Sequence, residues 1–206
     1  MSLVTLSASY GAGGSWLGPR LAERLDVPFL DRAIPAAVAH RLAVPIERAL
    51  HHDESAGSVL ERFVGYFVML PPFAPAADAS GVEVIDPRVY QRETEAIIHE
   101  HAREGRGVIL GRAGQVILRN DPHALHVRLD GPRERRVLQA MRMSGVDHAE
   151  AERRLDESDR AREAYGRHFY NANPRDPALY HLMLDTTALP LEHCLELLVL
   201  AAQARY

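Results

Sequence analysis

The glycine-rich segment at residues 8–15 is the part of the sequence best suited to binding an anion. It reads Ala-Ser-Tyr-Gly-Ala-Gly-Gly-Ser and lies between an apolar, β-branched run and a stretch with helical spacing. Glycines at positions 11, 13 and 14 would let backbone amides approach an anion at a helix N-terminus without interference from side chains. The alternative is a flexible strand-to-helix turn. The position between the first strand and the first helix favours anion binding.

The segment departs from the usual phosphate-binding pattern at one important position. In the pattern G-x-x-x-x-G-K-[ST], backbone amides surround phosphate oxygens, the lysine reaches the outer phosphates and the hydroxyl binds Mg²⁺. The four fixed positions are Ala8, Gly13, Gly14 and Ser15 here, so two match and glycine replaces the lysine. Ser15 is therefore a candidate magnesium ligand.

The chain contains no lysine at all, since all 24 of its lysine-or-arginine positions are arginines. This excludes a Schiff-base lysine, a lysine general base and a phosphate-gripping lysine. Arginine stays charged and donates two parallel hydrogen bonds to phosphate or carboxylate, so it suits anion binding rather than proton transfer. We expect arginines to supply any cationic chemistry.

Composition indicates a globular chain of one domain, or of one domain with an insertion. The chain has 206 residues, 47% of them hydrophobic, and a formal net charge of -4. This balance argues against a general nucleic-acid or membrane-surface binder. The single cysteine, Cys194, is expected in the core of a reduced, cytoplasmic protein. No apolar run approaches the ~20 residues of a membrane span. The sequence is compatible with a monomer or a homo-oligomer.

Strand and helix patterns alternate along the chain. Strands are predicted at residues 3–8, 29–30, 108–110, 123–130 and 180–185. Helices are predicted at residues 16–25, 32–42, from 45, 55–70, 87–103, 131–143, 148–165 and from 190, with a proline-rich loop at 71–78. Strands separated by helices predict a parallel sheet covered on both faces, with ligands at the carboxyl ends of the strands.

Several charged side chains stand where this arrangement would collect ligands. Arg112 follows the buried strand pattern at 108–110 directly, although a surface arginine is the alternative. Asp159 and Arg162 are three residues apart and share one face of a helix, where an intrahelical ion pair is the alternative. Arg160 is a further donor on the same segment. The histidines at 51–52 and 99–101 lack the spacing of a helical zinc site and are expected to be solvated.

Five segments, in this order, resemble the cytidylate kinase-like branch of the P-loop nucleoside monophosphate kinases. They are residues 7–14, 27–31, 108–112, 159–165 and 184–189. The resemblance implies an α/β fold with three layers, a parallel sheet with helices on both faces, and helical monophosphate-binding and lid segments. It implies one domain over residues 1–206. Its core would be 1–30, 105–145 and 178–206, its monophosphate-binding insertion about 31–104 and its lid about 146–177.

The resemblance also implies an activity, transfer of the γ-phosphoryl group of MgATP to CMP or dCMP, and a set of site residues. ATP would be bound by Tyr10, Gly11, Ala12, Gly13, Gly14, Ser15 and Trp16, with Ser15 holding Mg²⁺; packing of the first helix against the sheet is the alternative for Trp16. Asp31, Arg112, Asp159 and Arg162 would bind the acceptor; a helix cap is the alternative for Asp31. Arg112, Arg160 and Arg162 would neutralise the transferring group.

The chain departs from the family pattern at three places. Residues 32–36 lack the small and hydroxyl residues that precede a second arginine, Ala113 replaces an acid, and Trp16 replaces a threonine. These departures leave the acceptor open. The alternatives are a nucleotide-binding regulatory protein that has lost turnover, and a kinase for another small hydroxylated acceptor.

Overall fold

The computed structural model describes residues 2–31 and 87–205. The predicted helices at 32–42, from 45 and at 55–70, and the proline-rich loop at 71–78, lie outside these residues. So does most of the predicted monophosphate-binding insertion. The rest of the predicted order of strands and helices can be compared directly.

Five strands form one sheet. They are β1 (Leu3–Ala8), β2 (Phe29–Leu30), β3 (Gly107–Leu110), β4 (Ala124–Asp130) and β5 (Leu182–Asp185). The spatial order is β2-β3-β1-β4-β5, and every pair of neighbours is parallel. The predicted parallel sheet is therefore confirmed. The central strand is β1, so the loop that follows it lies at the middle of the carboxyl edge of the sheet.

Six α-helices are described. They are α1 (Gly14–Leu25), α2 (Pro87–Arg103), α3 (Gly114–Ile117), α4 (Arg133–Ser144), α5 (His148–Tyr170) and α6 (Leu191–Ala204). A short 3-10 helix, Pro177–Leu179, precedes β5.

Four predicted boundaries were wrong by two to five residues, and one of them is the start of α4, at Arg133 and not at residue 131. The first helix begins at Gly14, because the left-handed Gly13 already accepts the first helical hydrogen bonds. Helix α5 continues past residue 165 to Tyr170, where the left-handed Asn171 ends it. The aromatic pair Tyr165 and Phe169, with ring centroids 4.9 Å apart, extends that helix by one turn. Strand β5 starts at Leu182, after the 3-10 helix.

Helices cover both faces of the sheet. On one face, α1 and α6 bury a core of aliphatic side chains, and the fully buried Cys194 confirms the predicted core position of this residue. On the other face, α2 packs Ile97 and Ile98 against Leu3 and Ile109. Toward the carboxyl edge this second face becomes polar, and there the buried Arg128 pairs with the hydroxyl of Ser7. Among the described helices, none is long and apolar enough to cross a membrane.

Candidate functional site

A cavity of about 370 Å³ opens at the carboxyl ends of β1 and β3. Its walls come from the glycine-rich loop after β1, the turn after β3 and the second half of α5. The predicted site residues that line it are Tyr10, Gly11, Gly13, Gly14, Ser15, Asp31, Arg112 and Arg162. The structure thus brings together most of the residues chosen from the sequence.

The carbonyl groups of the loop are held from outside it. The carbonyl oxygens of residues 10–12 each accept a hydrogen bond from a side chain of another element. The donors, in order, are Arg136, Gln139 and Thr186, at 3.0, 3.0 and 2.7 Å. Three successive carbonyl dipoles are therefore engaged by α4 and by the segment after β5.

Several amides of the loop, unlike its carbonyl groups, have no hydrogen-bond partner among the residues that the structure describes. Within the described part of the chain, the N–H groups of Gly11, Gly13, Gly14 and Ser15 have no hydrogen-bond acceptor. Two of them belong to the first turn of α1, where the helix dipole concentrates positive potential. Gly11 has a φ of 76°, and a Cβ there would lie 2.2 Å from the carbonyl oxygen of Arg136. Glycine is thus required at this bend, and the loop offers amides to an anion in the cavity.

Arg112 reaches the cavity through an unusual turn. Gly111, Arg112 and Ala113 have φ values of 74°, 56° and 54°, three left-handed residues in succession. Two of these have side chains, so the turn stores strain of the kind found at ligand-binding sites. The turn places Nη2 of Arg112 3.6 Å from Oδ1 of Asp31. These two predicted residues therefore lie side by side, at the carboxyl ends of β3 and β2.

Helix α5 contributes Arg162. Its Nη1 donates to Oγ of Ser158 at 2.5 Å and lies 3.7 Å from Oδ1 of Asp159. Burial lowers the pKa of the Arg162 guanidinium, Asp159 opposes that change, and three other arginines lower the pKa further. These are Arg128, Arg136 and Arg112. Asp130 and Asp159 pair with Arg128 and Arg136, so Arg112 and Arg162 are the two of these four arginines that line the cavity and favour an anion there.

Four predicted site residues do not line the cavity. Ala12 is fully buried beneath the loop. Trp16 packs against the core of α1 and α6, and the guanidinium of Arg20 covers its ring at 4.1 Å. Arg160 donates to the carbonyl of Asp156 on the exposed side of α5. The carboxylate of Asp159 accepts from the amide of Tyr10 and lines a different space. A direct contact of these side chains with ATP or the acceptor therefore has no support from their positions.

Sequence reasoning missed Arg128, which supports the start of the loop. Its guanidinium donates to Oγ of Ser7 at 3.0 Å, Oγ of Ser9 at 2.7 Å and Oδ2 of Asp130 at 3.0 Å. Burial raises the pKa of Asp130, but Arg128, Ser9 and the Gly131 amide lower it by more. The sequence did carry a signal, because an arginine inside a buried strand must be paired.

Arg136, Gln139 and Thr186 were missed for a different reason. Arg136 is one of three arginines at the start of α4, and nothing in their spacing distinguishes the buried one, which is 7% exposed. Gln139 and Thr186 are ordinary polar residues in the sequence. Their role depends on the packing of α4 and the segment after β5 against the loop, which only the fold reveals.

The residues that line the cavity fit a magnesium ion that is held mainly by a nucleotide. Among the described residues, no group of three or more His, Cys, Asp or Glu side chains is placed to hold a metal on its own. Ser15 is exposed in the first turn of α1, and Asp31 is an acid of the cavity wall. Mg²⁺ at nucleotide sites takes phosphate oxygens, water and one or two protein oxygens, so the hydroxyl of Ser15 fits the protein's share of such a site.

Comparison with known proteins places the chain in a family. Residues 3–188 match the cytidylate kinase-like family. The protein belongs to this family. A cytidylate kinase from Methanopyrus kandleri is 29% identical over 193 residues, which is 90% of this chain and 84% of that protein. A uronate isomerase from Corynebacterium glutamicum is 30% identical over 100 residues, but the match spans only 48% of this chain and 19% of that protein.

Solved structures agree with the family assignment at the level of the fold. An uncharacterised protein from Eubacterium ventriosum has a TM-score of 0.66 at 14% identity, over 98% of this chain and 99% of that chain. A gluconokinase from Sinorhizobium meliloti has a TM-score of 0.51 at 17% identity, over 99% and 92% of the two chains. The predicted P-loop kinase fold is confirmed. Membership of the cytidylate kinase-like family supports a kinase for a nucleotide or another small molecule.

Proposed function

We propose that this protein transfers the γ-phosphoryl group of MgATP to CMP or dCMP. The observation that carries the proposal is the shared cavity, because the residues of a glycine-rich loop, Arg112 and Arg162 line one space. Phosphoryl transfer needs alignment and charge neutralisation more than covalent catalysis. This cavity supplies both, and it does so without a lysine.

The donor phosphates are bound by the loop. Amides of Gly11, Gly13, Gly14 and Ser15 hold their oxygens, and Arg162 supplies the positive charge that a loop lysine would bring. Mg²⁺ would neutralise the outer phosphates when bound, and Ser15 is the protein oxygen that would hold it.

The acceptor phosphate is bound by Arg112. Asp31, 3.6 Å from its guanidinium, keeps that group oriented toward the cavity. Tyr165 and Phe169 line the same cavity and form an apolar wall against which a pyrimidine ring can lie. Arg162 lines the same cavity as the donor loop and this wall, so it can neutralise the charge of the phosphoryl group during its transfer. We propose that α5 forms part of the lid of a single domain.

A kinase for another small hydroxylated acceptor is the second candidate. Two observations favour it: the family acid after Arg112 is Ala113, and Asp159, the residue that resembles a cytosine ligand, lies outside the cavity. This candidate uses the same donor loop and the same Arg162. Only the acceptor differs.

The test is a coupled assay of ADP formation with MgATP against a panel of nucleoside monophosphates and other small hydroxylated acceptors. We expect CMP or dCMP to stimulate ADP formation most. Arg112→Ala should lower the rate by about 10²- to 10³-fold. Arg106→Ala, at an exposed arginine before β3, is the matched control and should have no effect.

Two results would contradict the proposal. Stimulation by an acceptor that is not a nucleotide would favour the second candidate. Heat of ATP binding in calorimetry, without ADP formation from any acceptor, would indicate a regulatory nucleotide-binding protein instead.

A further inference from the structure

Asp159 accepts a hydrogen bond from the start of the glycine-rich loop. The amide of Tyr10 donates to Oδ1 of Asp159 at 3.2 Å, and Nη1 of Arg136 donates to Oδ2 of Asp159 at 2.8 Å. The same Nη1 donates to the carbonyl oxygen of Tyr10 at 3.0 Å. The N–H and the C=O of one loop residue are thus held by an ion pair between α4 and α5. We call these three residues the Tyr10 clasp.

The clasp is shielded from solvent and anchored at its cationic end. The side chains of Arg136 and Asp159 are 8% and 12% exposed. Arg136 also donates through Nε to the carbonyl oxygen of Gly131 at 3.0 Å and lies 3.4 Å from Oδ1 of Asp130. A shielded, charge-assisted pair with several hydrogen bonds holds its partners in one geometry, and removal of one member leaves the other unpaired.

The direction of the Asp159 side chain separates it from the acceptor. Arg162, one turn later on α5, lines the main cavity. Asp159 lines a second space on the far side of the loop, together with Arg128 and Arg136. Asp159 is absent from the lining of the main cavity, although its Oδ1 lies 3.7 Å from Nη1 of Arg162. The two residues therefore line different spaces, and their side chains meet between these spaces.

We propose that Asp159 and Arg136 are positioning residues for the phosphoryl donor. They hold the peptide groups of Tyr10 so that the amides from Gly11 onward face the cavity, and Asp159 does not contact the acceptor base. The inference rests on the proposed function, because it assumes that the loop binds the donor phosphates.

The test compares donor and acceptor binding in Asp159→Asn. Asp156→Asn is the matched control, since Asp156 is on the same helix and forms an exposed ion pair with Arg133 at 3.2 Å. Binding of ATP, and separately of inorganic tripolyphosphate, is followed by the fluorescence of Trp16, the single tryptophan, in the first turn of α1. KM values for ATP and CMP are measured in parallel.

We expect Asp159→Asn to weaken ATP and tripolyphosphate binding by about tenfold, because the Tyr10 amide and Arg136 lose their charged acceptor and hold the loop less firmly. The KM for CMP should stay within about twofold of the wild type, because no direct contact is lost. Asp156→Asn should bind ATP and tripolyphosphate as the wild type does. A thermal unfolding midpoint above the assay temperature shows that each variant is folded.

Arg136→Gln provides the second variant, with Arg135→Gln, at a neighbouring exposed arginine, as its control. Arg136→Gln should weaken ATP binding as Asp159→Asn does. ATP binding by the double variant Asp159→Asn/Arg136→Gln should be no weaker than that of the more severe single variant. Three results would contradict a positioning role for the clasp. They are a rise in the KM for CMP alone, an equal loss of affinity for ATP and CMP, and unchanged ATP binding. If the wild type binds no ATP, the proposed function fails as well.

Discussion

Gly14 and Ala8 are packed so closely that a Cβ on Gly14 would lie 2.5 Å from the Cβ of Ala8. The same added atom would lie 3.2 Å from Cδ1 of Leu110. Gly14 occupies the position of the lysine in the usual phosphate-binding pattern. The end of β1 and the start of α1 are therefore too close for any side chain at the lysine position, and the charge must come from elsewhere.

We expect Gly14→Ala to destabilise the protein by about 1–3 kcal/mol, the usual cost of overpacking. Gly14→Lys should cost more and should not raise kcat. Urea unfolding and steady-state kinetics measure the two effects.

The double variant Ala8→Gly/Gly14→Ala provides the control, because it removes the nearest atom from the contact. It should recover part of the lost stability relative to Gly14→Ala. A Gly14→Lys protein with higher turnover than the wild type would show that the loop adapts and that the close packing has no functional meaning.

Arg162 and Arg160 are two residues apart on α5, and only Arg162 lines the cavity. We expect Arg162→Ala to lower kcat by about 10²- to 10³-fold, because the transferring charge loses its cation. Arg160→Ala should change kcat by less than about threefold, since the side chain bonds only to the exposed carbonyl of Asp156. Both kcat values come from the same ADP assay. Equal losses would mean that α5 moves on binding and brings both arginines to the phosphates.

The parts of the fold with a strong local pattern could be predicted from the sequence. Apolar runs such as residues 108–110 indicated buried parallel strands, and the glycines after β1 indicated a loop between that strand and the first helix. The position of Arg112 beside the cavity could be predicted because Arg112 directly follows a strand in a parallel sheet. These predictions need only the sequence neighbours of each residue and the rule that ligands collect at carboxyl ends.

The supporting contacts could not be predicted in the same way. Helical spacing puts Asp159 and Arg162 on one face, but it does not tell on which side of the loop each side chain lies. Arg136 bonds to Tyr10, which is 126 positions away in the chain, and Thr186 bonds to Ala12, which is 174 positions away. Such contacts depend on the angle at which a helix or loop packs on the sheet, and no local pattern encodes that angle.

Thr186→Val tests whether the loop carbonyls need their outside donors. The hydroxyl of Thr186 donates to the carbonyl oxygen of Ala12 at 2.7 Å, and both residues are fully buried. Valine has nearly the same shape but no donor, so the carbonyl becomes unsatisfied at a cost of about 1–3 kcal/mol. ATP binding, followed by Trp16 fluorescence, should weaken as the loop relaxes. Thr186→Ser keeps the hydroxyl and should behave like the wild type; a defect in the serine variant as large as in the valine variant would point to lost packing instead.

His126 should make the protein less stable in mild acid. Burial and, to a smaller extent, the neighbouring His181, whose ring stacks on His126 at 4.9 Å, together lower the pKa of His126 to about 4. Nδ1 of His126 is 2.8 Å from the hydroxyl of Thr5. Above the unfolded pKa of about 6.5, the ring is neutral in both the folded and the unfolded states, so its contribution is complete. As the pH falls toward the folded pKa, the unfolded state takes up the proton first and stability is lost.

Between pH 7.5 and pH 5, we expect this single histidine to remove about 2 kcal/mol of unfolding free energy. His126→Asn keeps an acceptor for Thr5 near the position of Nδ1 but does not titrate, so its unfolding free energy should fall by about 2 kcal/mol less over that range. His193→Asn, at an exposed position of α6, should retain the wild-type pH dependence. Urea unfolding at both pH values measures the difference. Parallel pH profiles for the wild type and His126→Asn would show that the buried ring does not drive the acid sensitivity.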